Sequence, residues 1–513
     1  MLTRLKVSGF KNLVDVDVRF GPFTCIAGPN GVGKSNLFDA IRLLSALADR
    51  PLVDAALSVR DETGRTADLR GLFHRFGKEH APEISFEAEM IVPSQGADDL
   101  GQMAKAAITF LRYSVALGYR EDQNRGSLGS LEILKEELVH ITLGEAHKHL
   151  LFPHSVSNWR RSAVSGRRAG SEFISTEKGE ADRIIKLHQD GRGGRTLPRQ
   201  AAGLPRTVLS ATNAAESPTA LLARREMQSW RLLQLEPSAL RSPDEFSAPT
   251  ELGPNGAHLP ATLDRLGHTS EGGGDANDAP AKGNAKVYAQ VANRLAELID
   301  DVHEIWIDRD ERRELLTLYA TGSDRTPHAA RALSDGTLRF LALAVLLHDP
   351  EAQGVLCLEE PENGIHPERI PAMIELLRDI ATDTSEPIGQ GNPLRQVIVN
   401  THSPAVVQQV PQDSLLAAEL KETLHCGTRS KGVQFSCLPG TWRATKCPDE
   451  VPLCNMGTLL AYLNPVLPEE PSPGLVAGGR APRGRGSRTR NSLRVVDRED
   501  TRQLMLPFSH GPR

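Results

Sequence analysis

The sequence predicts an α/β protein: a mixed β-sheet built around a phosphate-binding loop, split by a long insertion, with a disordered basic C-terminal tail. Three observations predict it. The stretch Gly28-Pro29-Asn30-Gly31-Val32-Gly33-Lys34-Ser35 lies between a strand pattern and a helix pattern. Two later apolar runs, 354–358 and 396–399, stop abruptly at residues able to do chemistry. Between these halves, residues 155–283 are polar and rich in Gly, Pro, Ser and Arg.

The loop follows the pattern G-x-x-x-x-G-K-[S/T]. Phe23-Thr24-Cys25-Ile26-Ala27 leads in as a strand, and residues 36–48 follow with Leu37, Ile41, Leu44 and Leu47 on one helix side. Glycine lets backbone N–H groups turn inward on phosphates, and a helix N-terminus adds partial positive charge. The expected phosphate-binding residues are therefore Asn30, Gly31, Gly33, Lys34, Ser35 and Asn36. Lys34 should reach the terminal phosphates and Ser35 should hold Mg²⁺ through its hydroxyl.

Composition narrows the rest. At 513 residues the chain is long enough for two to four domains, and 39% hydrophobic residues allow a sizeable core. Aromatic content of 4% argues against a single-strand stacking platform, and a net charge of −5 confines any nucleic-acid surface to a local patch. No apolar run reaches membrane-spanning length and the start lacks a signal-peptide core, so the expectation is a cytoplasmic protein with no membrane partner. Of six cysteines, Cys25 and Cys357 fall on buried strands. Cys426, Cys437, Cys447 and Cys454 cluster with His425 without a tight C-x-x-C pair, so ordinary reduced cysteines are expected rather than a zinc site.

In chain order, residues 2–20 alternate as two antiparallel strands around Gly9-Phe10-Lys11-Asn12. Strands at 84–92, 107–120 and 131–143 can extend that sheet. A helix is expected over 220–235, then a mobile linker over 236–283. A helix from 285 and a hairpin over 304–320 follow. No heptad run long enough for a coiled-coil arm appears.

The second half carries three further signals. Leu333-Ser334-Asp335-Gly336-Thr337 precedes a helix over 338–348; Ser334 suits an N-cap, and the Ser-Asp-Gly backbone offers N–H donors to an anion. The run Gly354-Val355-Leu356-Cys357-Leu358 ends in Glu359-Glu360. Charge at a buried strand end needs a cation or a catalytic role to stabilise it. Glu359 suits Mg²⁺, and Glu360 suits orienting or deprotonating water. The run Gln396-Val397-Ile398-Val399-Asn400 ends at Thr401-His402, placing His402 to hydrogen-bond a phosphate or the water.

Taken together these motifs resemble the ATP-binding cassette superfamily, in its RecF/SMC/OLD-like branch of DNA-associated ATPases. The resemblance rests on Phe10-Lys11-Asn12-Leu13, the loop through Asn36, Leu333-Ser334-Asp335-Gly336-Thr337-Leu338-Arg339 and Leu358-Glu359-Glu360-Pro361-Glu362-Asn363-Gly364-Ile365-His366-Pro367. It covers roughly 1–48 and 285–420. It implies an ATPase head with ATP and Mg²⁺, and a homodimer sandwiching two ATPs. In that dimer Ser334 and Gly336 of one copy meet the γ-phosphate held by the other. The family's metal-binding glutamine has only Gln95 and Gln102 as candidates here. The first carboxylate is Glu359, where many relatives have Asp.

The expected organisation is 1–150 and 285–420 as the two parts of the head, 151–284 as the insertion, 421–465 as an extension and 466–513 as the tail. Arginines at 480, 483, 485, 488, 490 and 494 make the tail either a DNA or RNA backbone binder or a solubilising segment. The paired aspartates of a TOPRIM-type nuclease are not evident after residue 404, so a nuclease or toxin would be a separate effector. The leading reading is an ATP-hydrolysing switch in DNA repair, maintenance or phage defence. The alternatives are an ATP-dependent scaffold regulating an effector, and a transporter ATPase subunit.

Overall fold

The computed structural model describes residues 1–60, 69–121, 129–167, 170, 172–179, 182–190, 196–269, 281–298, 302–322, 324–425, 428–447 and 451–454. They belong to one unit spanning residues 1–465. Cys426, residues 272–278, the arginine-rich run 479–494 and residues 497–500 lie outside the described residues.

Phe23–Ala27 is buried at all five positions, and Arg395–Thr401 at all seven. Strands apolar on both faces suit a parallel sheet covered on both sides. Arg231–Leu233, Gly354–Glu359, Arg395–Thr401, Phe23–Ala27 and Leu415–His425 run parallel in that order, and Thr428–Cys437 closes one edge antiparallel. The register sets Leu233 beside Leu358, Glu359 beside Asn400, and Asn400 and Thr401 beside Ile26 and Ala27. Four carboxyl ends therefore finish together, and Gln234, Glu360, His402 and Gly28 follow them. Ligands of open α/β sheets bind at that edge.

A second sheet of eight antiparallel strands lies over one face. It includes Leu2–Phe10, Leu13–Arg19, Glu83–Ile91, Phe110–Arg120 and Ser130–His140, close to the strands that alternation predicts. The loop helix Lys34–Leu47 shares its core: Leu37, Phe38, Ile41 and Leu44 join Leu5, Val7, Val355 and Ile398. Each such buried Leu or Ile contributes roughly 1.5–3 kcal/mol. The Gln396 amide fastens the sheets, donating to the Leu2 and Gly21 carbonyls at 2.8 Å and accepting from the Leu2 N–H at 2.9 Å. On the opposite face, helices Asp335–His348 and Ile370–Ile380 bury Leu338, Leu341, Val345, Met373 and Leu377 against Leu356, Leu358 and Val397.

The structure corrects several expectations between the two halves. The helix expected over 220–235 stops at Gln228, and Arg231–Leu233 becomes the edge strand of the parallel sheet. Pairing Leu232 and Leu233 against Cys357 and Leu358 outweighs weak local propensity. The expected linker contains helix Leu259–Thr269, with Leu259, Leu263 and Leu266 buried in the second core. That stripe is diluted in the sequence by surrounding Gly and Pro. Glu172–Lys178, Arg183–Leu187 and Leu197–Gln200 add three strands to the antiparallel sheet. Their charged outward residues hide a short buried core of Phe173, Ile174, Ile185 and Leu187. Among the described residues the longest helix is Ala281–Leu298, and no helix is long and apolar enough to cross a membrane.

Glu136 holds a loop onto the antiparallel sheet. Its carboxylate is fully buried and accepts the Val208 and Leu209 N–H groups at 2.8 Å and the Tyr113 hydroxyl at 3.2 Å. Burial pushes Glu136 up to about 7, against the downward pull of the two N–H groups and the Tyr113 hydroxyl. A folded value above the ordinary 4.5 favours the fold while Glu136 is protonated. That contribution is complete below pH 4.5 and is lost as pH rises through about 7. Thermal melting from pH 4.5 to 8 should therefore show a fall in the midpoint that is steeper in wild type than in Glu136→Gln. Parallel curves would contradict it.

Candidate nucleotide and metal site

The loop is shaped before any ligand arrives. Gly31 and Gly33 take φ values of 81° and 106°, where a side chain is strained. A Cβ on Gly33 would also lie 2.2 Å from Asn12 Nδ2. Asn12 donates to the Val32 carbonyl at 2.8 Å and accepts from Asn36 Nδ2 at 2.7 Å, so the Phe10-Lys11-Asn12 turn braces the loop. Helix Lys34–Leu47 begins at Gly33 with no side-chain cap and no acid in its first turn. Its first N–H groups and positive end are left for an anion. Lys34 Nζ donates to the Gly28 and Pro29 carbonyls at 2.6 and 2.8 Å. Burial pulls its ammonium down, opposed by Glu360, Glu362 and Glu359.

Opposite stand the acidic residues. Glu359 accepts from Gln234 Nε2 at 3.1 Å and from Asn400 Nδ2 at 3.4 Å. Glu360 adopts a left-handed φ of 45°, which costs about 1–2 kcal/mol for a side-chain-bearing residue. Its N–H is shared by the Asn400 backbone oxygen and Oδ1, each at 3.1 Å. Its carboxylate accepts from Asn363 Nδ2 at 2.9 Å and meets His402 Nδ1 at 2.6 Å. An ionised carboxylate only accepts, so Nδ1 carries the proton and Nε2 stays available. Burial pushes Glu360 up, but Asn363, His402 and Lys34 outweigh it and hold the carboxyl below its usual range. Glu362 is buried, bonded to Thr401 Oγ1, and raised by burial.

These groups border one cavity of about 590 Å³, a size suited to a nucleotide. Asn30, Gly31, Gly33, Lys34, Ser35, Asn36, Glu359 and Glu360 all line it, and His402 joins through Glu360. Ser334 and Gly336 do not line it. They face a separate groove of about 470 Å³ with Gly364 and His366. Ser334 caps its helix, accepting from the Thr337 N–H at 3.1 Å. The glutamine candidates Gln95 and Gln102 are not among the cavity's lining residues; Gln95–Ala97 forms a hairpin with Met103–Lys105. Gln234 stands there instead, on Glu359. It follows Leu232-Leu233, a signal hidden by reading that run as helix. Asn400, Asn363 and Arg339 also line the cavity, although no sequence pattern marks them for it.

The donor set fits ATP with Mg²⁺: an uncapped helix start, a hydroxyl at Ser35, and the carboxylate–amide pair Glu359–Gln234 facing them. The fold and the site define a phosphate-loop nucleotide-binding protein of the α/β class. The chain belongs to the family described as "AAA domain, putative AbiEii toxin, Type IV TA system", which matches residues 23–94 and 159–408. It is 50% identical over 44 residues to the OLD nuclease of Thermus scotoductus, covering 9% of this chain and 8% of that protein. It is 51% identical over 45 residues to the DNA replication and repair protein RecF of Magnetococcus marinus, covering 9% of this chain and 12% of that one. The matches thus span about a tenth of these curated relatives. Among solved structures, an SMC head bound to the C-terminal winged-helix domain of ScpA is 13% identical at TM-score 0.42, covering 85% of this chain and 98% of that one. The SMC head domain from Thermotoga maritima is 12% identical at TM-score 0.33, covering 84% and 97%.

Gly33→Ala should weaken binding of a fluorescent ATP analogue by about tenfold or more, since strain and the Asn12 clash both act on the loop. Asn12→Ala should weaken it less. Titration of each variant checks this, and unchanged affinity in Gly33→Ala would contradict the loop's assigned role.

Proposed function

We propose that this protein is an ATP-hydrolysing switch that closes head-to-head around ATP and acts in DNA repair or maintenance or in phage defence. The observation that carries it is the meeting of Lys34 and Ser35 with Glu359, Glu360 and His402 at one sheet edge. Family membership supports nucleotide binding. The DNA assignment is drawn from the short matches to RecF and OLD nuclease, and a cytoplasmic location goes with it.

In this reading the loop N–H groups hold the phosphates, and Lys34 exchanges its carbonyl partners for the β- and γ-phosphates. Ser35, Glu359 and Gln234 would hold Mg²⁺, which would supply positive charge to the phosphate oxygens when bound. Glu360 orients a water and takes its proton as the water oxygen attacks the γ-phosphorus. The bond to the β–γ bridging oxygen breaks, leaving ADP and phosphate. His402, anchored to Glu360 through Nδ1–H, presents the Nε2 lone pair to accept a hydrogen bond from the attacking water. Ser334 and Gly336 face a groove of their own, which supports a second copy as the source of the signature contact.

A second reading is favoured by the toxin wording of the family description: an ATP-dependent scaffold that restrains a separate nuclease or toxin. Steady-state hydrolysis separates the two. Wild type should turn over ATP, Lys34→Ala should lose binding, and Glu360→Gln should lose about 100-fold or more in kcat while keeping ATP. Stimulation by double-stranded DNA supports the DNA assignment, and no turnover in wild type supports the scaffold.

The pH profile gives an independent check. Because Glu360 is held below its usual range in the unliganded protein, the acid limb of kcat/KM should fall below pH 4.5 in wild type. His402→Ala removes one of the interactions that lower it and should move the limb upward. A limb unmoved by His402→Ala would contradict the pairing.

A further inference from the structure

Arg339 belongs to the helix Asp335–His348, whose N-terminal residues Ser334, Gly336 and Thr337 face the outer groove. Arg339 itself lines the nucleotide cavity, beside Glu359, Glu360 and Asn363. One rigid helix therefore touches both places. The helix cannot shift at one end without the other, because Leu338, Phe340, Leu341 and Val345 lock it into the core.

The guanidinium sits as though made for an anion. It is partly buried, and its Nε is shielded from solvent without a hydrogen-bond partner. Asp335 acts on it electrostatically, but that carboxylate is paired with Arg241, which also donates to the Leu333 carbonyl at 3.1 Å. Burial draws the guanidinium down from its ordinary value, as expected for a cation short of a partner. Gly364, at φ 78°, lines the outer groove and packs closely on this helix: a Cβ there would lie 3.5 Å from Arg339 Nη1, and a Cβ on Gly336 would lie 3.3 Å from the Gly364 oxygen.

We propose that Arg339 contacts the γ-phosphate of ATP held by its own chain, and thereby sets Ser334 and Gly336 for the second copy. The inference rests on the ATP-switch reading above. A guanidinium fork matches two phosphate oxygens, and ADP offers none at the γ position. The contact therefore separates ATP from ADP. By linkage, a second copy docked on the helix start tightens ATP in return.

The test uses the full chain in a Glu360→Gln background, with ADP and ATP titrated separately and molar mass followed by light scattering. Adding Arg339→Ala should weaken ATP about tenfold or more while changing ADP less than about twofold. It should also abolish the ATP-dependent rise in mass. Arg339→Lys should restore part of both. Equal loss for ATP and ADP would show a structural role and overturn the proposal, as would full retention of discrimination and dimerisation. If the Glu360→Gln parent itself fails to bind ATP, the ATP-switch reading fails and takes this proposal with it. If the parent binds and dimerises and Arg339→Ala does the same, only the Arg339 proposal falls.

Discussion

The in-register pairing of Gly354–Glu359, Arg395–Thr401 and Phe23–Ala27 is the constraint on which the site depends. Glu359 sits beside Asn400, and Asn400 beside Ile26, so three chemically different strand ends finish at one level. A slip of one residue would turn each side chain to the opposite face and pull the acids away from the loop. The register is secured by burial on both faces, where the two cores meet the sheet. Gln396 adds a directional lock, since its amide fits only where the Leu2 and Gly21 backbone groups wait for it.

On that frame the electrostatics are arranged rather than merely dense. Lys34 lies within reach of three glutamates whose fields offset part of its burial penalty. Glu360 stays ionised through Asn363 and His402, although its surroundings alone would push it the other way. Glu362 remains raised because Thr401 is too little compensation for its burial. Two carboxyls in one short segment are thus pushed in opposite directions by their neighbours. Separating pKa values in this way lets one group act as a base beside another that does not. The left-handed backbone at Glu360 belongs to the same arrangement, in which the carboxylate meets His402.

Much of the site is legible in the sequence because its parts are local. The loop announces itself by spacing, Glu359-Glu360 by ending an apolar run, and His402 by following another. Gln234 is not legible, because its strand has only three residues and merges by composition with the preceding helix. Asn400 reads as the last residue of a strand, yet its side chain holds the Glu359 carboxylate and the Glu360 backbone N–H at once. Arg339 is a charged position within a largely apolar helix, and only the third dimension puts it in the cavity. The same limit explains the fold. Long alternating strands such as Glu83–Ile91 can be read, whereas Glu172–Lys178 buries too few apolar residues for its period to show.

In the proposed switch, separation of Ser334 and Gly336 from the cavity is the feature that joins structure to function, since a contact missing in one copy would be supplied by a second. The most direct measurement mixes two variants, each inactive alone: Lys34→Ala, which keeps its signature, and Ser334→Arg, which keeps its loop. Random pairing makes half the dimers mixed, each with one intact composite site, so turnover should recover to about a quarter of wild type. No recovery on mixing, or a Ser334→Arg variant as active as wild type, would contradict the account.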